Sequence, residues 1–115
     1  MKVLFDTDPG VDDAMALYYA LAHPNLDVMG ITTTFGNVTV EQATENALYL
    51  CAMAGFNTPV ASGASQPIDK PAEAPPVHIH GQDGLGNLLG RSPHHRCAVS
   101  QNAAEFLVET VREHP

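Results

Sequence analysis

The sequence predicts an α/β fold, an open and mostly parallel sheet with flanking helices. Three observations point there. Short apolar runs rich in β-formers alternate with segments of helical period, each run closes on a turn signal, and the order is strand, helix, strand, helix, strand. Parallel neighbours joined by right-handed crossovers then put the turns after the first two strands on one rim, where open α/β sheets bind ligands.

Val3-Leu4-Phe5 reads as the first strand, and Pro9-Gly10 as the turn behind it. From Val11 the apolar positions Val11, Ala14, Met15, Tyr18, Leu21 and Ala22 follow helical spacing, and His23-Pro24 stops the helix. Leu26 to Thr34 is a second strand, with Val28, Ile31 and three β-branched threonines, ending at Phe35-Gly36-Asn37. Thr39 is placed to cap a second helix, with Gln42 completing a capping box. Its apolar face is Ala43, Ala47, Leu50, Cys51 and Ala54, and Gly55 ends it. A short third strand is expected at Pro59–Ala61.

From Ser62 to about Val99 no period is visible, only turn residues and prolines, and a loop that long in a compact domain is functional or disordered. A last helix, capped near Ser100 or Asn102 with Glu105 in support, is expected to bury Ala103, Ala104, Leu107, Val108 and Val111.

With 115 residues and no internal repeat, the chain is one domain at most. It has no run of eighteen apolar residues, and its first residues lack a basic-then-apolar leader pattern, so a cytoplasmic protein without a membrane partner is expected. Cys51 and Cys97 lack metal-type spacing and are read as plain thiols. A formal charge of −8 argues against a nucleic-acid partner, and the few fixed cations leave little to grip a phosphate. A neutral polar small molecule is the favoured ligand class.

The strongest chemical signal is Asp6-Thr7-Asp8-Pro9-Gly10-Val11-Asp12-Asp13, four aspartates in eight residues on the first strand-to-helix turn. Carboxylates crowded this closely repel one another unless a cation, shared protons or open solvent compensates. Asp6 and Asp8 alternate across the strand end, while Asp12 and Asp13 fall in the first helical turn, so three or four side chains are expected to converge. Such an all-oxygen site suits a hard divalent cation. A calcium-sensor loop is excluded, because Gly10 and Val11 stand where its spacing wants an acid and a glycine.

Within the long loop stands Val77-His78-Ile79-His80-Gly81-Gln82-Asp83-Gly84-Leu85-Gly86-Asn87, whose glycines free the backbone for close approach to a ligand. His78 and His80 would share a face of an extended segment and could form a metal pair. Alternatively, one of them contacts substrate or handles a proton. His94-His95, beside Arg91 and Arg96, reads as a solvated patch.

The aspartate-rich octapeptide with Ala14 resembles the amino-terminal signature of the nucleoside hydrolases, the inosine-uridine-preferring group. Gly30-Ile31-Thr32-Thr33-Thr34-Phe35-Gly36-Asn37, Asn46-Ala47, His78-Ile79-His80-Gly81 and Asp83-Gly84-Leu85-Gly86 agree with the same family in order. The resemblance implies a Rossmann-like nucleoside hydrolase fold, with residues 1–115 the amino-terminal part of a single domain. It implies calcium-dependent hydrolysis of the N-glycosidic bond of ribonucleosides, giving free base and ribose. By resemblance, Asp8 binds calcium and serves as general base, Asp13 is a calcium ligand, Asp12 and Asn37 hold ribose hydroxyls, Asp6 orients the site from behind, and His80 stands at the nucleobase side. Homo-oligomers are implied for the full-length protein.

Family members run to well over twice this length, and their later half supplies a further calcium-ligating Asp, a carbonyl ligand and more ribose contacts. Coordination arithmetic agrees: two carboxylates supply at most about four oxygens, where calcium takes about six to eight. Two alternatives stand beside the hydrolase. One is a haloacid-dehalogenase-like phosphatase with Asp6 as nucleophile and Asp8 as acid/base on magnesium, which shares the strand-then-Asp-x-Asp start. The other is a non-catalytic, truncated module that binds ribose or metal.

Overall fold

The computed structural model describes every residue from Met1 to Pro115. Three strands, β1 (Lys2–Thr7), β2 (Asp27–Thr33) and β3 (Val60–Ser62), form one sheet in the order β1-β2-β3. Both pairings are parallel: Thr7 stands opposite Thr33, and Thr33 opposite Ser62. The carboxyl ends of all three strands therefore share a rim, as the strand-helix alternation predicts. An irregularity between Val3 and Leu4 shifts the β1–β2 register by one residue.

Helices α1 (Val11–Ala22) and α2 (Val40–Ala54) follow β1 and β2. Their ends match their local chemistry. The Thr39 hydroxyl accepts the Gln42 amide N–H at 3.3 Å, a cap worth about 1 kcal/mol. Gly55 closes α2 at φ 77°, a left-handed turn that glycine adopts without steric cost. The expected capping box is only half made, because the Gln42 side chain donates to Asn46 Oδ1 instead of returning to the cap.

The core lies between α1, α2 and one face of the sheet, where Leu17, Leu21, Ile31, Ala47, Leu48, Cys51 and Val60 pack together with Phe5 and Val28 at their edge. The long segment after β3 is less featureless than its composition implies. It contains a one-turn helix, α3 (Val77–His80), and its far end returns to the sheet through the Val99 N–H, which donates to the Val60 carbonyl at 2.8 Å.

A last helix in contact with the sheet, α4 (Ala103–Glu113), is capped by the Asn102 side chain, which accepts the Glu105 N–H at 3.0 Å. Phe106 of α4 sits over Gly30, where any Cβ would strike its ring. Since Gly30 and Ile31 project to opposite faces of β2, α4 covers the face away from α1 and α2. No helix of the chain is long and apolar enough to cross a membrane.

Two expected helix faces hold only in part, with Leu21 buried and Ala103 and Leu107 half-buried as expected. On α1 the buried residues are Leu17, Ala20 and Leu21, while Val11, Met15 and Tyr18 are exposed. Only Asp12 and Asp13 interrupt an otherwise apolar helix, so periodicity had no polar face to exclude. On α4 Phe106 is the buried residue, while Ala104, Val108 and Val111 are exposed. The slot above Gly30 selects the phenylalanine, and that slot exists only once the sheet has formed.

Candidate functional site

The site is built where the turns after β1 and β2 meet on the shared rim. Asp8 leaves β1 with a carboxylate oxygen accepting the Asn37 backbone N–H at 2.7 Å. The Asn37 side-chain amide then donates to Asp13 Oδ2 at 2.8 Å and to the Asp8 carbonyl at 3.3 Å. Asn37 thus ties both acids to the β2 turn, as the topology predicts. Asp13 also reaches back to the Gly10 N–H at 3.4 Å, partly satisfying the open amino end of α1.

Electrostatics at this junction are unfavourable without compensation. Burial pushes the Asp13 carboxyl above its usual range, and the Asp8 and Asp12 charges push the same way, against the hydrogen bonds from Gly10 and Asn37. No lysine or arginine pairs with any of the four aspartates. The donor set is hard and all-oxygen, and a divalent cation would relieve its mutual repulsion, so the two carboxylates fit such an ion in charge and chemistry. They do not complete a site, because no group of three or more His, Cys, Asp or Glu side chains is assembled to hold a metal.

The expected convergence of three or four acids is therefore corrected to two. Asp6 accepts the Thr32 hydroxyl at 2.5 Å on the opposite strand. Asp12 precedes Asp13 around the helix by about 100° and turns into solvent. Its side chain is 84 % exposed, with His80 Nδ1 at 3.9 Å.

His80 comes from far along the chain and packs against the start of α1. Its Nδ1 accepts the Val11 backbone N–H at 3.2 Å, and the ring lies so close to Gly10 that a Cβ there would stand 2.6 Å from Nδ1. Glycine at position 10 is thus required for the histidine to reach the helix end. His78 and His80 do not share a face, because α3 replaces the expected extended segment: His80 is buried and His78 exposed. That geometry removes the two-histidine metal pair.

The supposed solvated patch is also corrected in part. His94 Nε2 lies 2.7 Å from Glu45 Oε1 with its side chain 10 % exposed, and Arg91 bonds to both Asn46 and Asp83. Asp83 is the hub of its own loop. Burial pushes its carboxyl up, but the N–H groups of Leu85, Asn87 and Leu88, with the Arg91 guanidinium, outweigh that and hold it below the usual carboxylate value. The sequence reading placed Arg91 only in that patch, and its one available signal was position: an arginine just after a glycine-rich turn with a central aspartate.

A cleft of about 400 Å³ opens beside this rim, lined by Phe35, Gly36, Pro67, Lys70, Pro71, Glu73, Ala74 and Pro76. Gly36 joins the two, since it lines the cleft and a Cβ there would strike the Asp8 carboxylate. Cys51 and Cys97 are free thiols, and burial pushes the Cys51 thiol up.

Residues 3–115 match the model of a family described as inosine-uridine preferring nucleoside hydrolase. Uridine nucleosidase 1 of Arabidopsis thaliana is 45 % identical over 115 residues, covering 99 % of this chain and 34 % of the plant protein. The inosine-uridine preferring nucleoside hydrolase of Leishmania major is 32 % identical, with 98 % and 36 % covered. Among solved structures, the purine-preferring ribonucleoside hydrolase from Gardnerella vaginalis superimposes with a TM-score of 0.91 at 34 % identity, covering 98 % of this chain and 37 % of that one. The chain spans about a third of the length of the curated relatives it matches.

Proposed function

The chain belongs to the inosine-uridine preferring nucleoside hydrolase family, matching its amino-terminal portion, and from that premise we propose that it supplies the acidic half of a site that hydrolyses the N-glycosidic bond of ribonucleosides. The observation that carries the proposal is the meeting of Asp8 and Asp13 on Asn37, with His80 seated against the same helix start. Family membership displaces the phosphatase alternative.

Each residue has a task in this chemistry. Cleavage passes through an oxocarbenium-like state, and the paired carboxylates of Asp8 and Asp13 stabilise positive charge developing on the sugar. Asp8 has one oxygen engaged by Asn37 and is assigned as the base that takes a proton from attacking water. Water then bonds to the anomeric carbon as the nucleobase departs with the pair of the broken C–N bond. His80 uses Nδ1 to accept from Val11, so in the neutral ring Nε2 carries the proton and is the nitrogen able to donate toward the leaving base. Asp12 and Asn37 are assigned to ribose hydroxyls, and Asp6 to orientation from behind. The adjoining cleft falls within the roughly 300–1,000 Å³ typical of small-molecule sites.

Asp8 and Asp13 are the residues assigned to hold calcium. When bound, the ion supplies charge that eases deprotonation of water near neutral pH and an anchor for the sugar diol. The proposal includes homo-oligomer formation, for which exposed Met15, Tyr18 and Tyr19 on α1 offer an apolar face. It also includes a cytoplasmic setting, consistent with two unpaired thiols.

The test is a chimera in which this chain replaces the matching third of the Arabidopsis uridine nucleosidase, assayed for reducing sugar from inosine, uridine and cytidine. Asp8→Ala is expected to lower turnover by about a hundredfold or more. Equal release by the parent chimera and the variant would remove Asp8 from the chemistry. For the isolated chain, the lack of a third acidic or histidine ligand favours a second reading, binding without turnover. Calorimetry with calcium and ribose, paired with the same sugar assay, separates the two.

A further inference from the structure

We propose that Asn46 and Arg91 are positioning residues: together they clamp the His80-bearing segment onto the turn that carries Asp8 and Asp13. The inference rests on reading that rim as the catalytic site, but its geometry stands independently. Asn46 is fully buried in α2 and uses its whole hydrogen-bonding capacity. Its amide donates to the Pro9 carbonyl at 3.0 Å and the Asp83 carbonyl at 2.8 Å, while its oxygen accepts from Gln42 and from Arg91, both at 2.9 Å. One side chain thereby joins the aspartate turn, the second helix and the glycine-rich loop.

Arg91 completes the clamp from the loop side. Its second guanidinium nitrogen donates to Asp83 Oδ2 at 3.1 Å, and the group lies 5.1 Å from the centre of the Tyr49 ring. Gly84 makes the close approach possible: at φ 77°, a Cβ there would stand 2.9 Å from the Pro9 carbonyl and 3.0 Å from Asn46 Nδ2. The clamp closes three residues after His80. Between Gly63 and Val99 no strand ladder holds the backbone, so these side chains set where the imidazole can stand.

The consequence is specific to one ring nitrogen. While the clamp is closed, the Val11 N–H occupies Nδ1 and the neutral His80 ring keeps its proton on Nε2. Releasing Asp83 frees the ring from that donor and allows both tautomers. A lysine at position 91 retains the charge, but its point-like ammonium cannot reproduce the planar fork on Asn46 and Asp83.

The experiment compares Arg91→Ala and Arg91→Lys with the parent 115-residue chain, reading the His80 ring ¹⁵N shifts and amide hydrogen exchange by NMR. In Arg91→Ala, exchange at Leu85, Asn87 and Leu88 is expected to speed up about tenfold or more, and His80 to move from one tautomer to a mixture. Leu17 and Ala47 amides should be unchanged, and Arg91→Lys should fall between. If Arg91→Ala loses protection throughout, Arg91→Lys carries the same comparison in a folded chain. Unchanged exchange at the three amides with an unchanged tautomer would overturn the clamp. In the chimera, Arg91→Ala is expected to lower kcat about tenfold with KM within about twofold. A chimera without any hydrolysis would sink the proposed function, whereas the exchange rates and the His80 tautomer in the isolated chain would still decide the clamp.

Discussion

Residues 1–62 and residues 63–99 keep their shapes by different means. In the first region, parallel ladders and two helices enclose an apolar core, so backbone bonds and burial act together. In the second, one turn of helix is the only regular element, and order comes from Asp83, Asn46 and Arg91 bonding to backbone groups. The two halves of the candidate site therefore have different foundations. Asp8, Asp13 and Asn37 ride on the sheet rim, whereas His80 is held by a few polar contacts whose loss need not unfold the rest.

The largest expected effect tests the first foundation. Leu17 is completely buried in the core, so Leu17→Ala should lower unfolding free energy by about 2–5 kcal/mol in urea titration. A cost below about 1 kcal/mol would mean that α1 does not seal this core. Next comes the joint between the regions. Gly84→Ala forces a methyl against Val38 and the Pro9 carbonyl at a left-handed φ, and should cost about 1–3 kcal/mol. That loss should appear as faster amide exchange in residues 81–91, with β2 and α2 protected as before. Loss spread evenly over the chain would erase the distinction between the regions.

Acid should separate them further. The Asp83 carboxyl is held below its ordinary value, so the stability it contributes is fully present above about pH 4 and is lost as pH falls through its depressed folded value. Amides of Leu85, Asn87 and Leu88 should then lose protection before those of Ala47 or Leu17, and simultaneous loss would contradict the local role. The smallest effect has the opposite sign. Asp13 is held above its ordinary value, so its protonated form favours folding below about pH 4, and that contribution fades as pH rises through the raised folded value. At pH 7 Asp13→Asn should therefore stabilise the metal-free chain, by no more than about 0.5 kcal/mol because solvent screens a partly exposed carboxyl. At about pH 3 the difference should vanish, and added calcium should raise the melting temperature of the parent and not of the variant.

Much of this was legible from local pattern. The strand, helix, strand order, the Thr39 and Asn102 caps and the Gly55 stop rest on interactions within a few residues. The meeting of Asn37 with the aspartate turn also followed, since parallel strands must end on one rim. The faces of α1 and α4 were only partly legible, because α1 is apolar nearly all round and Phe106 is chosen by the space above Gly30. Spacing alone left the four aspartates together and only the family resemblance gave them separate tasks; their parting depended on Thr32 taking Asp6 and on the angular step between Asp12 and Asp13.

From sequence alone come the order of elements, the rim on which the chemistry gathers and the residue types brought there, because period, caps and turns are short-range. Tertiary structure decided how Asp6 and Asp12 part from the Asp8–Asp13 pair that the family resemblance singles out, and what holds His80, the histidine it names. Those outcomes depend on contacts such as Asn46 to Asp83 and Val11 to His80, between residues 37 and 69 positions apart, and no local pattern encodes them.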